Sequence, residues 1–169
     1  MSRQLFENHI MPASEKMYRY ALSILNEPET AHDVVQDCLV KIWENRQKLP
    51  EIKSLESWAM RITRNQCYDW VKTNRFSVSV HKIAEPGGNQ SADQQLLVSD
   101  QKQWFEQVLA GFPQKQKEIF HLREVEEMAY QEIADILSLS ISDVKVTLHR
   151  MREKIRASLQ KIEDYGIAN

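Results

Sequence analysis

Apolar side chains return at helical spacing through most of the chain, and the pattern lapses once, between two blocks. Over 4–25 the apolar positions Leu5, Phe6, Ile10, Met17, Tyr18, Ala21, Leu22 and Leu25 predict one or two amphipathic helices, bent near Pro12. A loop is expected over 26–30, with Glu29 or Thr30 opening the next helix. That helix, over 31–46, sets Val34, Val35, Cys38, Leu39, Ile42 and Trp43 on a broad apolar face, opposite Asp33, Gln36, Asp37, Lys41 and Glu44. The pattern by itself favours a core helix with a solvated back, although a partner-docking face has the same signature. After a connection at 49–53, Ser54 is placed to cap a helix over 55–74, with Ser57 in its first turn.

Helical periodicity stops over 77–95, where Pro86-Gly87-Gly88-Asn89 holds the one Gly-Gly pair of the sequence. This reads as a flexible linker. The apolar pattern resumes with Trp104, Phe105, Val108 and Leu109, and breaks at Phe112-Pro113. Pro113 suits the start of the next helix, whose apolar side is Ile119, Phe120 and Leu122. The expected fold is therefore all-α: a helical domain over 1–76, a linker over 77–95 and a second helical domain over 96–169.

The most informative stretch is 129–159. Ile133, Ala134 and Leu137 line one face of a short helix, and Val144, Leu148 and Met151 repeat the pattern in the next, extended by Ile155 and Leu159. Leu139 lies at the corner between them, and Ser140 or Ser142 can accept a bond from an unpaired N–H of the second helix. This is a helix-turn-helix pattern, whose second helix lies in a DNA major groove. A helical hairpin serving only for packing would share the periodicity. The charges favour DNA: Lys145, Arg150, Arg152, Lys154, Arg156 and Lys161 lie over 141–161 against only Asp143 and Glu153, whereas Glu124, Glu126, Glu127, Glu132 and Asp135 precede them.

In the helix over 55–74, Trp58 and Trp70 are interleaved with Arg61, Arg64, Lys72 and, just beyond, Arg75. Aromatic and cationic side chains together suit single-stranded or opened DNA, because bases stack on rings while cations hold phosphates. The tryptophans read mostly as core, which leaves the four basic residues as the surface signal.

Composition narrows the alternatives. A formal net charge of −2 is awkward for an autonomous DNA binder, so either the basic patches are local or a larger basic partner supplies most of the affinity. No run has the length and hydrophobicity to cross a bilayer, and the first residues lack a secretory apolar segment, so a cytoplasmic location is expected. Cys38 and Cys67 fall inside helical patterns, away from any metal-binding spacing, and are expected to be buried free thiols. His9, His32, His81, His121 and His149 have no partner pattern. No P-loop, GxGxxG, HExxH or GxSxG occurs, so neither enzymatic activity, a cofactor, a metal nor a small-molecule substrate is expected.

Three blocks, in order, resemble the extracytoplasmic-function sigma factors of bacterial RNA polymerase. AHDVVQDCLVKIW resembles that family's clamp-docking helix, and SWAMRITRNQCYDWVKTNR the segment that recognises and opens the −10 region. FPQKQKEIFHLREVEEMAYQEIADILSLSISDVKVTLHRMREKIRASL resembles the domain that reads the −35 element. The resemblance implies that Asp33, Gln36 and Asp37 face the polymerase clamp. It places Arg61, Arg64, Asn65, Asp69, Lys72 and Arg75 in or beside the −10 surface, with Asn65 and Asp69 equally open to a structural reading. Ser142, Asp143, Lys145, Val146, His149, Arg150 and Arg152 become the exposed side of the −35 reading helix, with Lys145 and Arg150 long enough to reach base edges or phosphates. The implied partners are core RNA polymerase, through its clamp and flap, promoter DNA, and an anti-sigma factor able to occlude the polymerase-binding faces; membrane insertion is not implied.

The sequence departs from the family pattern at four places. His32 stands for an acidic residue, which is expected to weaken or re-aim the clamp contact. Ser138 stands for a corner glycine, which predicts a distorted turn because the position wants positive φ. Asp143 and Thr147 replace a small uncharged residue and an arginine, which predicts weaker or altered −35 readout. The other function considered is a stand-alone helix-turn-helix regulator whose first half is an interaction domain.

Overall fold

The computed structural model describes residues 1–74 and 94–167, with side chains throughout except at 94–101 and 165–167. Every regular element among them is helical. The chain starts with α1 (Ser2–Leu5), runs through a wide π-helical turn (Phe6–Ile10) and continues as α2 (Met11–Leu25). Pro12 therefore does not end the helix. It sits in the first turn of α2, where its missing N–H costs least, directly after the widened turn. Asn26, left-handed at φ 56°, closes α2 by donating its N–H to the Leu22 carbonyl.

The next helix, α3 (Pro28–Glu44), begins earlier than the apolar pattern indicates. Glu27 caps it by accepting from the backbone N–H groups of Glu29 and Thr30, and Pro28 supplies a pre-set first position. A 3₁₀ segment (Arg46–Glu51) then turns Leu49 into the core. Ser54 caps α4 (Leu55–Thr73) as expected, its Oγ accepting from the Ser57 N–H. Ala59, Met60, Thr63 and Cys67 form the buried stripe of α4, while Trp58 and Trp70 are half-buried against it. Thr63 is tolerated there because its hydroxyl donates to the Ala59 carbonyl at 2.9 Å. Burial pushes the Cys38 thiol up to about 11 and the Cys67 thiol up to about 12, so both are protonated and unreactive at neutral pH.

Past residues 75–93, which are not described, α5 (Gln94–Ala110) starts inside the stretch expected to be linker. Then come α6 (Gln114–Phe120), a π-helical turn (His121–Val125), α7 (Tyr130–Leu137) and α8 (Ile141–Ile167). Pro113 stands just outside α6, in an extended conformation. The corner between α7 and α8 is regular, contrary to the distortion expected at Ser138. Ser138 takes the left-handed conformation at φ 54°, and both its own N–H and that of Leu139 donate to the Ala134 carbonyl. Serine accepts this because its short side chain is solvent-exposed; the strain remains in the backbone. Ser138→Gly is expected to stabilise the protein by about 1 kcal/mol, since glycine carries no Cβ penalty there. A thermal melt should show a rise of roughly 2–4 °C.

The two helical units are not merely strung on a tether. α4 packs against α7 and α2 against α6, and one apolar cluster runs from Phe6 and Met17 through Ile119 and Leu122 to Leu148. No helix among the described residues is long and apolar enough to cross a membrane.

Candidate nucleic-acid and polymerase interfaces

On α8, Val144, Leu148 and Met151 are buried, four and three residues apart, where the helix packs against α6 and α7. That anchoring turns Ser142, Asp143, Lys145, Val146, His149 and Arg150 to the surface, all exposed. Leu139 is half-buried in the corner. Ser140 is the cap, accepting the Asp143 N–H at 3.0 Å, which leaves Ser142 on the exposed face. Asp143 thereby has a local reason to be acidic: it stands in the first turn, where the helix dipole favours a negative charge. Thr147 is half-buried at the margin of this face.

The cations on α8 differ in their freedom. Lys145 Nζ lies 5.4 Å from the centroid of the Tyr130 ring, which Arg123 also approaches at 4.5 Å; the contact steadies the lysine stem without neutralising its charge. Arg152 is tied instead: Nε donates to Glu124 Oε1 at 2.8 Å and Nη2 to the same oxygen, which holds its pKa above the usual value. Lys145 and Arg150 are therefore the better placed of the three for a nucleic acid.

Along α4, Arg61, Asn65, Asp69 and Lys72 are exposed and spaced four, four and three apart, a single stripe. Arg75 lies outside the described residues. Arg64 does not share the stripe. It is 24% exposed, its guanidinium stacks on the Tyr68 ring at 4.6 Å, and Nε donates to Glu118 Oε2 at 2.7 Å. Glu118, on α6, is itself 1% exposed. It also accepts from the Tyr20 hydroxyl at 2.8 Å and, on its other oxygen, from the Tyr68 hydroxyl. Burial and the neighbouring carboxylate push both tyrosine hydroxyls well above their ordinary range. Burial is the strongest single influence and opposes the Arg64 charge, but the bond to Glu118 and that carboxylate's charge, with Tyr20 and Tyr68, together outweigh it and raise that pKa. All three groups stay donors at neutral pH.

Two further contacts join the units. Glu126, 3% exposed, accepts from Arg19 Nε at 2.9 Å and Nη2 at 2.6 Å, and the His121 ring lies 3.1 Å from the same carboxylate. Glu132 faces the Ser57 and Ser54 hydroxyls at 3.3 and 3.5 Å, while its other oxygen accepts the Ala129 N–H and so closes the start of α7. Arg61 stands at the groove between α4 and α7, opposite Gln131 and Asp135. The acidic run ahead of α8 thus meets cations and hydroxyls of the first unit. Sequence reasoning missed Glu118; its spacing of four from the buried Leu122 was the available signal.

On α3, Asp33, Gln36 and Asp37 are exposed together. Val40 joins them, 55% exposed, three residues past Asp37 and four past Gln36. It was hidden in the sequence by its place inside a run of core residues. His32 is exposed beside them, with its ring edge-on to Tyr18 at 6.5 Å.

Comparison with known proteins covers both units. Residues 12–76 match the family model Sigma-70 region 2, and residues 102–155 match Sigma-70, region 4. The chain is 28% identical over 159 residues to the RNA polymerase sigma factor YlaC of Bacillus subtilis, covering 87% of this chain and 92% of that one. It is 26% identical over 147 residues to the probable RNA polymerase sigma factor RfaY of Xanthomonas campestris, covering 82% of this chain but 36% of that protein. Among solved structures, the sigma factor RpoE of Bartonella quintana, in complex with the anti-sigma factor NepR, matches with a TM-score of 0.65 at 22% identity, over 93% of this chain and 98% of that one. CnrH, in complex with the cytosolic domain of CnrY, matches with a TM-score of 0.58 at 22% identity, over 95% and 88%. With region 2 built on α2–α4, region 4 built on α6–α8, and relatives similar across both, this chain belongs to the sigma-70 family as an RNA polymerase sigma factor of the extracytoplasmic-function type.

Proposed function

We propose that this sigma factor docks on the clamp of core RNA polymerase through Asp33, Gln36, Asp37 and Val40, takes the −10 element on α4 and reads the −35 element with α8. The observation that carries this reading is the exposed face of α8. Its buried side packs against α6 and α7, which leaves Ser142, Lys145, Val146, His149 and Arg150 exposed on the opposite side, where they fit a major groove. On α4, Arg61 and Lys72 would hold phosphates, with Asn65, Asp69 and, beyond the described residues, Arg75 beside them. Strand separation needs no covalent chemistry. Bases that unstack transiently are captured on region 2, offsetting a few kcal/mol of lost stacking per step.

Membership of the family removes the difficulty of a net charge of −2, because a subunit that reads promoters within a large basic enzyme need not bind DNA tightly alone. It also sets aside the stand-alone regulator. The polymerase flap is the expected contact of region 4, and the cytoplasm the expected location. RpoE and CnrH were solved with anti-sigma factors; a comparable partner here would cover the α3 or α8 face.

In vitro transcription with core enzyme, followed by mapping of start sites, tests this reading: defined starts should appear only when the chain is added. Asp33→Ala combined with Asp37→Ala should weaken core association about tenfold, from the loss of two charged contacts at roughly 0.5–1 kcal/mol each. A chain with no measurable affinity for core enzyme would end the proposal.

A further inference from the structure

A polar cleft borders the reading face of α8 on one side. It opens where α8 packs on α6, so both of its walls belong to region 4. Phe112, 8% exposed in the connection before α6, and Gln116 of α6 form one wall. Thr147, Arg150 and Lys154 of α8, three and four residues apart, form the other.

The cleft is positive. Glu153 is the one carboxylate lining it among the described residues, and Arg156 takes it up, Nη1 donating to Oε1 at 2.5 Å. Arg150 and Lys154 therefore set its sign. Lys154 is also held in place: its Nζ lies 5.7 Å from the centroid of the Phe112 ring, which burial keeps fixed. The ring attracts the ammonium without neutralising it. A lysine steadied in this way gives up less side-chain freedom on meeting an anion. Beside it stand two neutral donors, the Gln116 amide and the Thr147 hydroxyl, both on half-buried residues.

Position decides which anion fits. Lys154 is 13 residues past Ile141. That is about 20 Å along α8 at ~1.5 Å per residue, and the major groove is only ~12 Å wide. With the start of α8 among the bases, Lys154 stands at the rim, where the sugar–phosphate backbone runs. We propose that this cleft seats a single backbone phosphate bordering the −35 element, with Lys154 supplying the charge and Gln116 and Thr147 the neutral hydrogen bonds. The inference rests on the functional reading above. Such a contact carries no sequence information; it sets how deeply α8 enters the groove and in which register Lys145 and Arg150 meet the bases.

The test uses holoenzyme assembled from core enzyme and the full-length chain, on a promoter duplex recovered by start-site mapping. Lys154→Gln should weaken binding about fivefold at 50 mM salt and less than about twofold at 200 mM, because losing one phosphate contact lowers the slope of log affinity against log salt by about 0.9. Lys154→Arg, which keeps the charge, should keep the wild-type slope. Lys154 is exposed, so helix content by circular dichroism should not change in either variant. The loss in Lys154→Gln should be the same on a duplex with a substituted −35 element, as expected of a backbone contact and not of a base contact. Replacing one phosphate at a time by a neutral methylphosphonate should reveal a position beside the −35 element that costs the wild type about fivefold and costs Lys154→Gln nothing further. An unchanged slope in Lys154→Gln, a loss confined to the intact −35 element, or no phosphate that couples to Lys154 would each overturn the cleft while leaving the functional reading in place. Failure of the wild-type holoenzyme to select any promoter would overturn the functional reading, and the cleft with it.

Discussion

Lys145→Ala combined with Arg150→Ala is expected to cut promoter-specific transcription about 100-fold while leaving core-enzyme binding intact. A good side-chain contact to a base edge contributes ~1–3 kcal/mol, so losing two lies near or above the ~2.7 kcal/mol that 100-fold requires. The effect should be confined to DNA. Both residues are exposed and far in sequence from the α3 face, and the Val144, Leu148 and Met151 contacts that hold α8 in place are untouched. If either residue binds a phosphate, the slope of log affinity against log salt should fall by about one for that residue. The measurements are run-off transcription and holoenzyme–promoter binding over a salt series. Full activity in the double variant would mean that α8 does not read DNA with this face.

The second large effect concerns Arg19→Ala. Glu126 is fully buried at its side chain and is held by Arg19 and His121. Removing the arginine leaves a carboxylate out of water with one neutral donor. Truncating one partner of a buried pair costs ~3–5 kcal/mol, and because Arg19 is 44% exposed the expected loss is smaller, about 2–3 kcal/mol, a fall of roughly 5–10 °C in melting temperature.

The loss should depend on pH through His121. In the wild type, burial above all, aided by the Arg19 charge, lowers the His121 pKa below its ordinary 6.5 against the pull of Glu126. A depressed folded-state pKa means that stability is complete above 6.5 and declines as pH falls through the lowered value. Without Arg19 the repulsion is gone, and a proton on the ring becomes the only counter-charge left to Glu126. The folded pKa then rises, and a raised pKa adds stability at acid pH that disappears as pH increases. The defect should therefore be greatest near pH 8 and shrink toward about pH 5.5, as thermal melts across that range would read. A pH-independent defect would show that His121 does not titrate against Glu126.

Much of the site was legible in the sequence because it depends on local periodicity. Burial at Val144, Leu148 and Met151 follows from spacing alone, and once those positions are inside, the exposed face of α8 is dictated by helix geometry. The exposed group of Asp33, Gln36 and Asp37 follows in the same way from Val34, Val35 and Cys38. Caps were also readable, Ser54 directly and Ser140 as one of two choices, because a hydroxyl before an apolar run satisfies a nearby N–H. The start of α3 was misplaced because Glu27 and Pro28 act through backbone geometry that the apolar pattern does not register.

Other features belong to contacts across long sequence separations. Arg64 looks like its neighbours Arg61 and Lys72 in the sequence; only packing against α6 brings Glu118 to it and removes it from the surface. The acidic residues Glu126 and Glu132 read as mere contrast with the basic helix until Arg19, Ser54 and Ser57 are seen opposite them. By itself the sequence determined where most of the helices lie, which faces are apolar and which family the order of blocks matches, since each is set within a few turns of chain. Tertiary structure alone decided that the two units close on one another and which charges are spent in doing so, because a buried polar group is placed by a partner that no local pattern names.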